Sequence, residues 1–300
     1  MSAPFPARIQ SRMEQAKTMK EEDKLYRHDG VLYPVIMCPP ENLAALENLE
    51  ARPDDVMLVA YPKCGFNWMV AVLRKIITAG SGREQDAKMP PLIEFFGPEM
   101  VQLMSQAPSP RFLGTHMHPD NIPATFTDKK TKMLVIFRNP KDTAVSFYHF
   151  SVKNPVLPTP ESWDKFYAEY MSGDVPWGSY FDHALAWEKR LDDPNVMVIT
   201  YEELKEDLFK GVQQISRFFS FDLSEEQAQD IAQDSTFSAM KESSKDSHGP
   251  MSSIFFRKGE VGDWKNHFSE AQSKQMDAEF EKQLAGTRLG AKIKYHVYCK

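Results

Sequence analysis

The 300-residue sequence has few of the features that mark metal sites or membrane insertion. It contains three cysteines, Cys38, Cys64 and Cys299, which are odd in number and far apart, and neither a CxxC pair nor an HExxH motif occurs. We therefore expect reduced thiols and no metal centre. The longest apolar runs, such as residues 133–137, are too short to span a bilayer.

The sequence also lacks a basic arm and the apolar core of a signal peptide. Residues 1–30 include the charged stretch SRMEQAKTMKEEDK. Across the chain, 36 lysines and arginines against 42 aspartates and glutamates give a formal charge of −6. These features argue against a nucleic-acid or membrane partner and predict a soluble protein of the cytosol.

No internal repeat, coiled coil or low-complexity segment divides the chain, and a hydrophobic content of 42% suffices for a large core. Residues 56–60, 133–137 and 196–200 have the apolar runs of buried strands, and helical spacing follows each of them. This alternation predicts an α/β fold with a central parallel sheet flanked by helices. We expect one domain over residues 1–300, with residues 1–40 as a partly irregular leader.

The rest of the chain is organised around residues 56–75, VMLVAYPKCGFNWMVAVLRK. Pro62 ends the apolar strand, Gly65 permits a tight turn, and Trp68 starts a run with helical spacing. The loop between strand and helix would place unpaired N–H groups and the helix dipole beside Lys63, an arrangement that favours an anion. The loop lacks the Walker A pattern GxxxxGK[ST], and an ordinary strand-to-helix crossover is the alternative.

Two further charged segments are candidates for phosphate binding. Arg138 follows an apolar strand directly, and Ser146 lies in the next helix, so a guanidinium fork and a hydroxyl can reach one anion. Pairing of Arg138 with a surface carboxylate is the alternative. Arg257 and Lys258 precede Gly259, which lets the backbone approach a phosphate, although a solvated charged loop explains the same pattern.

Two histidines follow the strand-like run RFLGT. His116 and His118 would point to opposite faces of an extended chain and would not share a metal. A histidine beyond the carboxyl end of a parallel strand suits acid–base chemistry, which makes His116 a candidate; a purely structural loop histidine is the alternative. Residues 92–104, LIEFFGPEMVQLM, can either line an apolar pocket or pack in the core.

Four segments in this order, YPKCGFNW, THMHP, RNPKDTAVSFYHF and FRKGEVGDWKNHF, closely resemble the cytosolic sulfotransferase family over nearly the whole chain. Local detail is most similar to its 6B-type subfamily. Members transfer a sulfuryl group from 3'-phosphoadenosine 5'-phosphosulfate (PAPS) to a hydroxyl or amine of a small acceptor such as a phenol, steroid or iodothyronine. The resemblance implies a P-loop-like donor site, adenosine 3',5'-bisphosphate (PAP) as product, no metal, and a cytosolic location.

The resemblance also implies a role for each matching residue. His116 falls at the family's catalytic histidine, and Lys63 would stabilise charge on the leaving phosphate. The other matches concern the donor: Lys63, Cys64, Gly65, Phe66, Asn67 and Trp68 for its 5'-phosphosulfate; Arg138, Ser146, Arg257, Lys258 and Gly259 for its 3'-phosphate, with Phe255 and Phe256 beside them; and Trp68, Tyr201, Ser235, Thr236, Phe237 and Met240 for its nucleoside.

Three features depart from the family pattern. Phe66 and Asn67 replace threonines of the phosphosulfate loop, which changes the groups available to the donor. Gly114 stands where a lysine is common, two residues before the catalytic histidine, so one cation near the transferred group is missing. The family's dimer motif, close to KxxxTVxxxE, reads KNHFSEAQSK at residues 265–274 and is degenerate as a homodimer signal.

Sulfuryl transfer in line, with positioning, cationic stabilisation and a histidine base, is the leading interpretation. Two alternatives remain open from the sequence. A small-molecule kinase would use ATP, but the Walker A lysine-serine pair and an evident Mg²⁺ aspartate are missing. A catalytically weak nucleotide-binding or acceptor-binding protein would account for Phe66, Asn67 and Gly114. Nucleotide preference separates the first two functions, and turnover with a panel of acceptors tests the third.

Overall fold

The structure, a computed structural model, describes residues 5–85, 91–240 and 257–300. The strands in these ranges form an antiparallel pair and a parallel sheet of four. In chain order they are β1 (Leu25–His28), β2 (Val31–Pro34), β3 (Val56–Ala60), β4 (Phe112–Thr115), β5 (Lys132–Phe137) and β6 (Val196–Thr200).

Helices follow the strands of the sheet and cover them. Short 3-10 turns lie at Glu21–Asp23, Leu46–Asn48, Pro119–Asn121 and Asp263–Asn266. The α-helices are α1 (Phe5–Thr18), α2 (Pro40–Ala45), α3 (Phe66–Ser81), α4 (Pro98–Gln106), α5 (Ala124–Asp128), α6 (Pro140–Lys153), α7 (Trp163–Ser172), α8 (Tyr180–Glu188), α9 (Tyr201–Glu206), α10 (Leu208–Phe218), α11 (Glu225–Gln233), α12 (Glu270–Gln283), α13 (Arg288–Ile293) and α14 (Tyr295–Tyr298).

The central sheet has the order β4-β3-β5-β6, and its paired strands all run parallel. Every residue of β3 is buried because this strand has neighbours on both sides. Among the strands of the described residues, β6 pairs with β5 alone at the edge of the sheet, and Val196 and Met197 are half-buried. The α/β class and the parallel sheet predicted from the apolar runs are confirmed.

Side-chain caps fix several helix starts. Ser224 and Gln227 form a capping box at α11, and Ser269 and Gln272 form another at α12. Helix α6 begins at Pro140, directly after Asn139. The reason is local: the side chain of Asn139 accepts a hydrogen bond from the third residue of the helix, and proline suits a first helical turn.

The N-terminal segment contains a helix and a hairpin. Helix α1 lies within the segment that we expected to be a partly irregular leader, and β1 pairs with β2, which lies inside the stretch GVLYPVIMCPP of residues 30–40. Asp29 and Gly30 both have positive φ, which is the backbone conformation that a tight hairpin turn requires. The Asp-Gly pair was the sequence signal for this turn.

Within the described residues, no helix is both long and apolar enough to cross a membrane. The same part of the chain contains no cluster of His, Cys, Asp and Glu side chains arranged to hold a metal ion. Cys38, Cys64 and Cys299 are free and buried.

A buried ion pair joins the start of β3 to the start of β4. Arg111 Nε lies 2.7 Å from Asp55 Oδ1, and Arg111 Nη2 lies 2.5 Å from Asp55 Oδ2. The guanidinium also donates to the carbonyl oxygens of Glu50 and Met104. The buried guanidinium of Arg111 is therefore held by a bidentate counter-ion that water cannot replace.

We expect Asp55→Asn to lower the free energy of unfolding by about 3–5 kcal/mol, because it leaves the Arg111 charge buried without its counter-ion. Urea unfolding measures this loss. The matched control is Asp174→Asn, which breaks the exposed pair between Arg27 and Asp174 and should cost less than about 1 kcal/mol. Similar losses in both variants would contradict the assignment of Asp55 as the counter-ion of a buried charge.

Candidate active site

The loop between β3 and α3 has the backbone of an anion cradle. Lys63 and Gly65 both have positive φ, at 70° and 106°. Gly65 is also tightly packed, since a Cβ there would lie 2.9 Å from Cδ2 of Tyr201. Gly65 is the N-cap of α3, so the first N–H groups of this helix lack partners within the helix and are available to a ligand.

The side chains of the loop add little hydrogen-bonding capacity to these backbone groups. Cys64 is buried with its Sγ 3.7 Å from Oγ1 of Thr143, and burial raises the pKa of its thiol to about 12. Phe66 is buried, and Asn67 is half-buried in the first turn of α3. The backbone and Lys63 are therefore the main groups that this loop offers to an anion.

Positive charges converge next to the loop. The ammonium of Lys63 lies 4.0 Å from the ring centroid of Phe150. Burial, together with the charges of Arg138 and Arg257, lowers the pKa of Lys63 to about 7. An anion among these cations would relieve their repulsion and favour the charged form of Lys63.

Arg138 follows β5 and is held in a fixed position. Its guanidinium lies 4.5 Å from the ring centroid of Tyr201, and Nη2 donates to the carbonyl oxygen of Glu260 at 2.8 Å. The hydroxyl of Tyr180 donates to the carbonyl oxygen of Arg138 at 2.7 Å. Within the described residues, the buried Nε of Arg138 has no hydrogen-bond partner. Ser146 is half-buried and lies in the second turn of α6, the helix predicted to carry it.

The start of α6 holds the segment that carries Arg257 and Lys258. The carboxylate of Asp142 accepts hydrogen bonds from the backbone N–H groups of Gly262 at 2.7 Å and Trp264 at 3.0 Å. Asn139 donates from Nδ2 to both Asp142 and Glu202 at 2.8 Å. Sequence reasoning missed Asp142 and Glu202, although Asp142 belongs to the RNPKD segment.

Arg257 and Lys258 share one carboxylate. Arg257 Nη2 lies 2.5 Å from Oδ2 of Asp263, and Lys258 Nζ lies 2.7 Å from Oδ1. Burial alone would raise the pKa of Asp263, but the hydrogen bonds from Lys258, Arg257 and Asn266 hold it well below its usual range. Asp263, which sequence reasoning also missed, thus holds both cations in place.

The predicted nucleoside residues come together from separate segments. Trp68 Nε1 donates to the carbonyl oxygen of Ser235 at 2.6 Å, and its ring meets that of Tyr201 edge-on at 5.3 Å between centroids. Gly259 has a φ of 70° and packs against Phe237, because a Cβ there would lie 2.3 Å from that ring. Among the other predicted residues, Thr236 is exposed, Met240 is buried, and Phe255 and Phe256 lie outside the described residues.

His116 lies directly after β4 with a defined tautomer. Its Nδ1 is 2.7 Å from the carbonyl oxygen of Ala60 and must carry the proton, since a carbonyl only accepts; Nε2 is then the unprotonated nitrogen of the neutral ring. The imidazole contacts the rings of Phe66 and Trp177, at centroid distances of 4.6 and 5.2 Å. Burial lowers the pKa of His116 to about 4, and the charge of Lys63 contributes to this.

His118 has different partners from His116. Its Nδ1 accepts a hydrogen bond from the backbone N–H of Asp120 at 3.3 Å. Glu94 is a buried neighbour of His116 that sequence reasoning missed: its Oε1 accepts the backbone N–H of His116 at 2.8 Å. Burial raises the pKa of Glu94 to about 7. A single carboxylate in the apolar run LIEFF was the signal for it.

Residues 92–104 contribute both to the core and to the surroundings of Trp177. In α4, Met100, Val101 and Met104 are buried and serve packing. Phe95 lies 6.2 Å from Trp177 between ring centroids, and Trp177 in turn contacts His116. The N-terminal part of this segment therefore belongs to the aromatic surroundings of the histidine.

The fold and the loop define a class of protein, in which an anion-binding loop lies at the carboxyl edge of a parallel sheet. A family model described as a sulfotransferase domain matches residues 53–288. Sulfotransferase 6B1 of Danio rerio is 64% identical over 295 residues, covering 98% of this chain and all of that protein. The human Sulfotransferase 6B1 is 47% identical, covering 97% of this chain and 96% of the relative.

The chain therefore belongs to the sulfotransferase family, and its predicted similarity to the 6B-type subfamily is confirmed. Among solved structures, mouse sulfotransferase SULT7A1 complexed with PAP superimposes with a TM-score of 0.80 at 34% identity. That likeness covers 91% of this chain and 100% of the mouse chain, and it confirms the P-loop-like fold. The family decides between sulfuryl transfer and the kinase alternative in favour of the former.

We expect the amine of Lys63 to titrate near pH 7, because burial and neighbouring cations disfavour its charge. NMR of ¹³C-dimethylated lysines measures this pKa, and Lys63→Arg identifies the signal. Since the folded-state pKa lies below the unfolded value of about 10.5, the unfolded chain binds more protons between these values, and Lys63 makes stability rise with pH across that window. Titration of the assigned signal near pH 10 would contradict the convergence of charges.

Proposed function

We propose that this protein transfers the sulfuryl group of PAPS in line to the hydroxyl or amine of a small acceptor, with His116 as general base. The convergence of Lys63, Arg138 and Arg257 beside the N-terminus of α3 carries the proposal. Repulsion among these cations is the signature of a site built for a polyanionic ligand. The mouse relative complexed with PAP supports the choice of nucleotide.

The residues fit the two ends of PAPS. The unpaired N–H groups at the start of α3 and the Lys63 ammonium would hold the 5'-phosphosulfate. The buried Nε of Arg138 has no hydrogen-bond partner among the described residues, so Arg138 would hold the 3'-phosphate together with Arg257 and Ser146. When bound, PAPS supplies a sulfuryl group on a phosphate leaving group. Lys63 would stabilise the charge that develops on that phosphate.

Lys258 and Gly259 would complete the hold on the 3'-phosphate. Asp263 keeps Lys258 beside Arg257, and Gly259 lets its backbone lie close against Phe237. The nucleoside would lie against Trp68 and Tyr201, near the segment that contains Ser235, Thr236, Phe237 and Met240. Cys64 and Asn67 would contribute through the backbone of the loop.

His116 would take the proton of the acceptor at Nε2. The hydrogen bond from Nδ1 to Ala60 fixes the tautomer that this role requires. Burial keeps the ring neutral at physiological pH, since its pKa is lowered to about 4. The negative charge of the donor would raise this pKa and help the ring to hold the proton it receives.

The surroundings of His116 favour an apolar acceptor. Phe66 and Trp177 contact the imidazole, and Phe95 lies next to Trp177. Flat aromatic surfaces of this kind pack against a phenol or another ring that carries a hydroxyl. We therefore propose a small aromatic or alicyclic alcohol as the acceptor class.

PAP should stabilise the protein more than ATP or 5'-AMP, because only PAP presents a phosphate to the cations at the 3' end. At 100 times its Kd, a ligand stabilises the native state by about 2.7 kcal/mol, which a thermal shift detects. We expect Arg257→Ala to lower the affinity for PAP by about 10- to 100-fold and to leave the affinity for 5'-AMP nearly unchanged. The exposed Lys265 provides the control variant, and Lys265→Ala should bind PAP normally.

Equal losses for PAP and 5'-AMP in Arg257→Ala would show that Arg257 has no selective contact with the 3'-phosphate. A preference for ATP over PAP would contradict the choice of donor.

We expect His116→Ala to lower kcat by about 10²- to 10⁴-fold while PAP binding is retained, because it removes the base and leaves the donor site intact. Turnover of PAPS with 4-nitrophenol and a panel of phenols and steroid alcohols measures this loss. His118→Ala is the matched control and should keep most of the activity, since His118 bonds to Asp120 instead.

Near-normal turnover of His116→Ala would remove the base assignment. Selective PAP binding without turnover of any acceptor in the wild type would favour the catalytically weak binding protein instead.

A further inference from the structure

Two residues that depart from the family pattern lie against each other. A Cβ at Gly114, in β4, would lie 2.6 Å from Cζ and 3.0 Å from Cε2 of Phe66, and 3.3 Å from the carbonyl oxygen of Leu58. The ring of Phe66 is 4% exposed and fills the space over the strand. The aromatic side chain at position 66 thus requires the absence of a side chain at position 114.

The same ring reaches His116. The centroids of Phe66 and His116 are 4.6 Å apart, and a second ring, that of Trp177, lies 5.2 Å from the imidazole. The imidazole is also tied at Nδ1 to the carbonyl oxygen of Ala60. One hydrogen bond and two rings therefore fix its orientation and limit the access of water to it.

We propose that Phe66 is a positioning residue for His116, and that Gly114 makes this position available. The inference rests on the proposed role of His116 as base. Phe66 would then have two roles. Its backbone N–H lies in the first turn of α3, where the donor would bind, and its side chain holds the imidazole, where the acceptor would bind. A threonine at this position would be too short to fill the same space.

The contact has a measurable electrostatic consequence. By excluding water, the Phe66 ring disfavours the imidazolium and keeps Nε2 free to accept a proton. The charged and titratable groups that face His116 are Lys63, Glu94 and His183. Replacement of Phe66 by a smaller apolar residue leaves these groups unchanged, so a change in the titration of His116 reports on the ring.

The first experiment compares wild type with Phe66→Leu by ¹H–¹⁵N NMR of the histidine side chains. We expect the pKa of His116 to rise by about one unit toward its ordinary value, and the Nδ1-protonated tautomer to lose its dominance. The acid limb of kcat/KM for PAPS and 4-nitrophenol should move by the same amount. Phe126→Leu, which truncates a buried ring in α5, is the control and should leave His116 unchanged.

The second experiment tests the packing by thermal unfolding without any ligand. Gly114→Ala should lower the Tm by a few degrees in the wild type, because the new methyl group collides with the ring. In the Phe66→Leu background the same substitution should cost less, so the two effects are not additive. This comparison needs no turnover and remains informative when a single variant has low activity.

The outcomes separate the two proposals. The positioning role is overturned if Phe66→Leu leaves the tautomer and the pKa of His116 as in the wild type. It is also overturned if Gly114→Ala lowers the Tm equally in both backgrounds. Either result counts even where His116→Ala abolishes turnover. If His116→Ala retains turnover while the NMR and Tm results are as expected, Phe66 orients His116 but the base assignment fails.

Discussion

The candidate active site depends on a fold that keeps several positively charged side chains close together. Lys63, Arg138 and Arg257 come from different parts of the chain, and burial together with the nearby charges of the two arginines lowers the pKa of the lysine. Such a cluster opposes folding unless other groups hold it in place. Asp142 and Asp263 do so: the first binds the backbone of residues 262–264, and the second binds Arg257 and Lys258 directly.

The topology of the sheet explains why the candidate site residues meet. In a parallel sheet the carboxyl ends of the strands share one edge, and each strand here is followed within a few residues by a residue of the site. His116 and Tyr201 come directly after β4 and β6, Arg138 directly after β5, and Lys63 lies in the short loop between β3 and α3. The hydrogen bond from His116 Nδ1 to Ala60 is possible because β3 and β4 are neighbours.

The sequence predicted what depends on short-range pattern. Apolar runs located β3, β5 and β6, and the loop residues before α3 were recognisable because a strand, a glycine and a helix follow one another. The pairing of Asp263 with Arg257 and the packing of Phe66 on Gly114 were not accessible, because they depend on distances that the folded chain sets. The hairpin turn at Asp29 and Gly30 was different: its signal is local and was overlooked.

Phe66 and Gly114, which depart from the family pattern, are better understood as one coupled change than as the separate loss of a threonine and a lysine. The donor loop offers backbone N–H groups, which Phe66 retains, and the carbonyl oxygen of Ala60 remains the hydrogen-bond acceptor of His116 Nδ1. What changes is the environment of the imidazole, where an aromatic ring occupies space over β4. A lysine at position 114 could not enter β4 without displacing that ring, so the cationic contribution close to His116 comes from Lys63. Stabilisation of negative charge near His116 therefore depends more on the charge of Lys63 in this chain than in a chain that has a second cation beside the histidine.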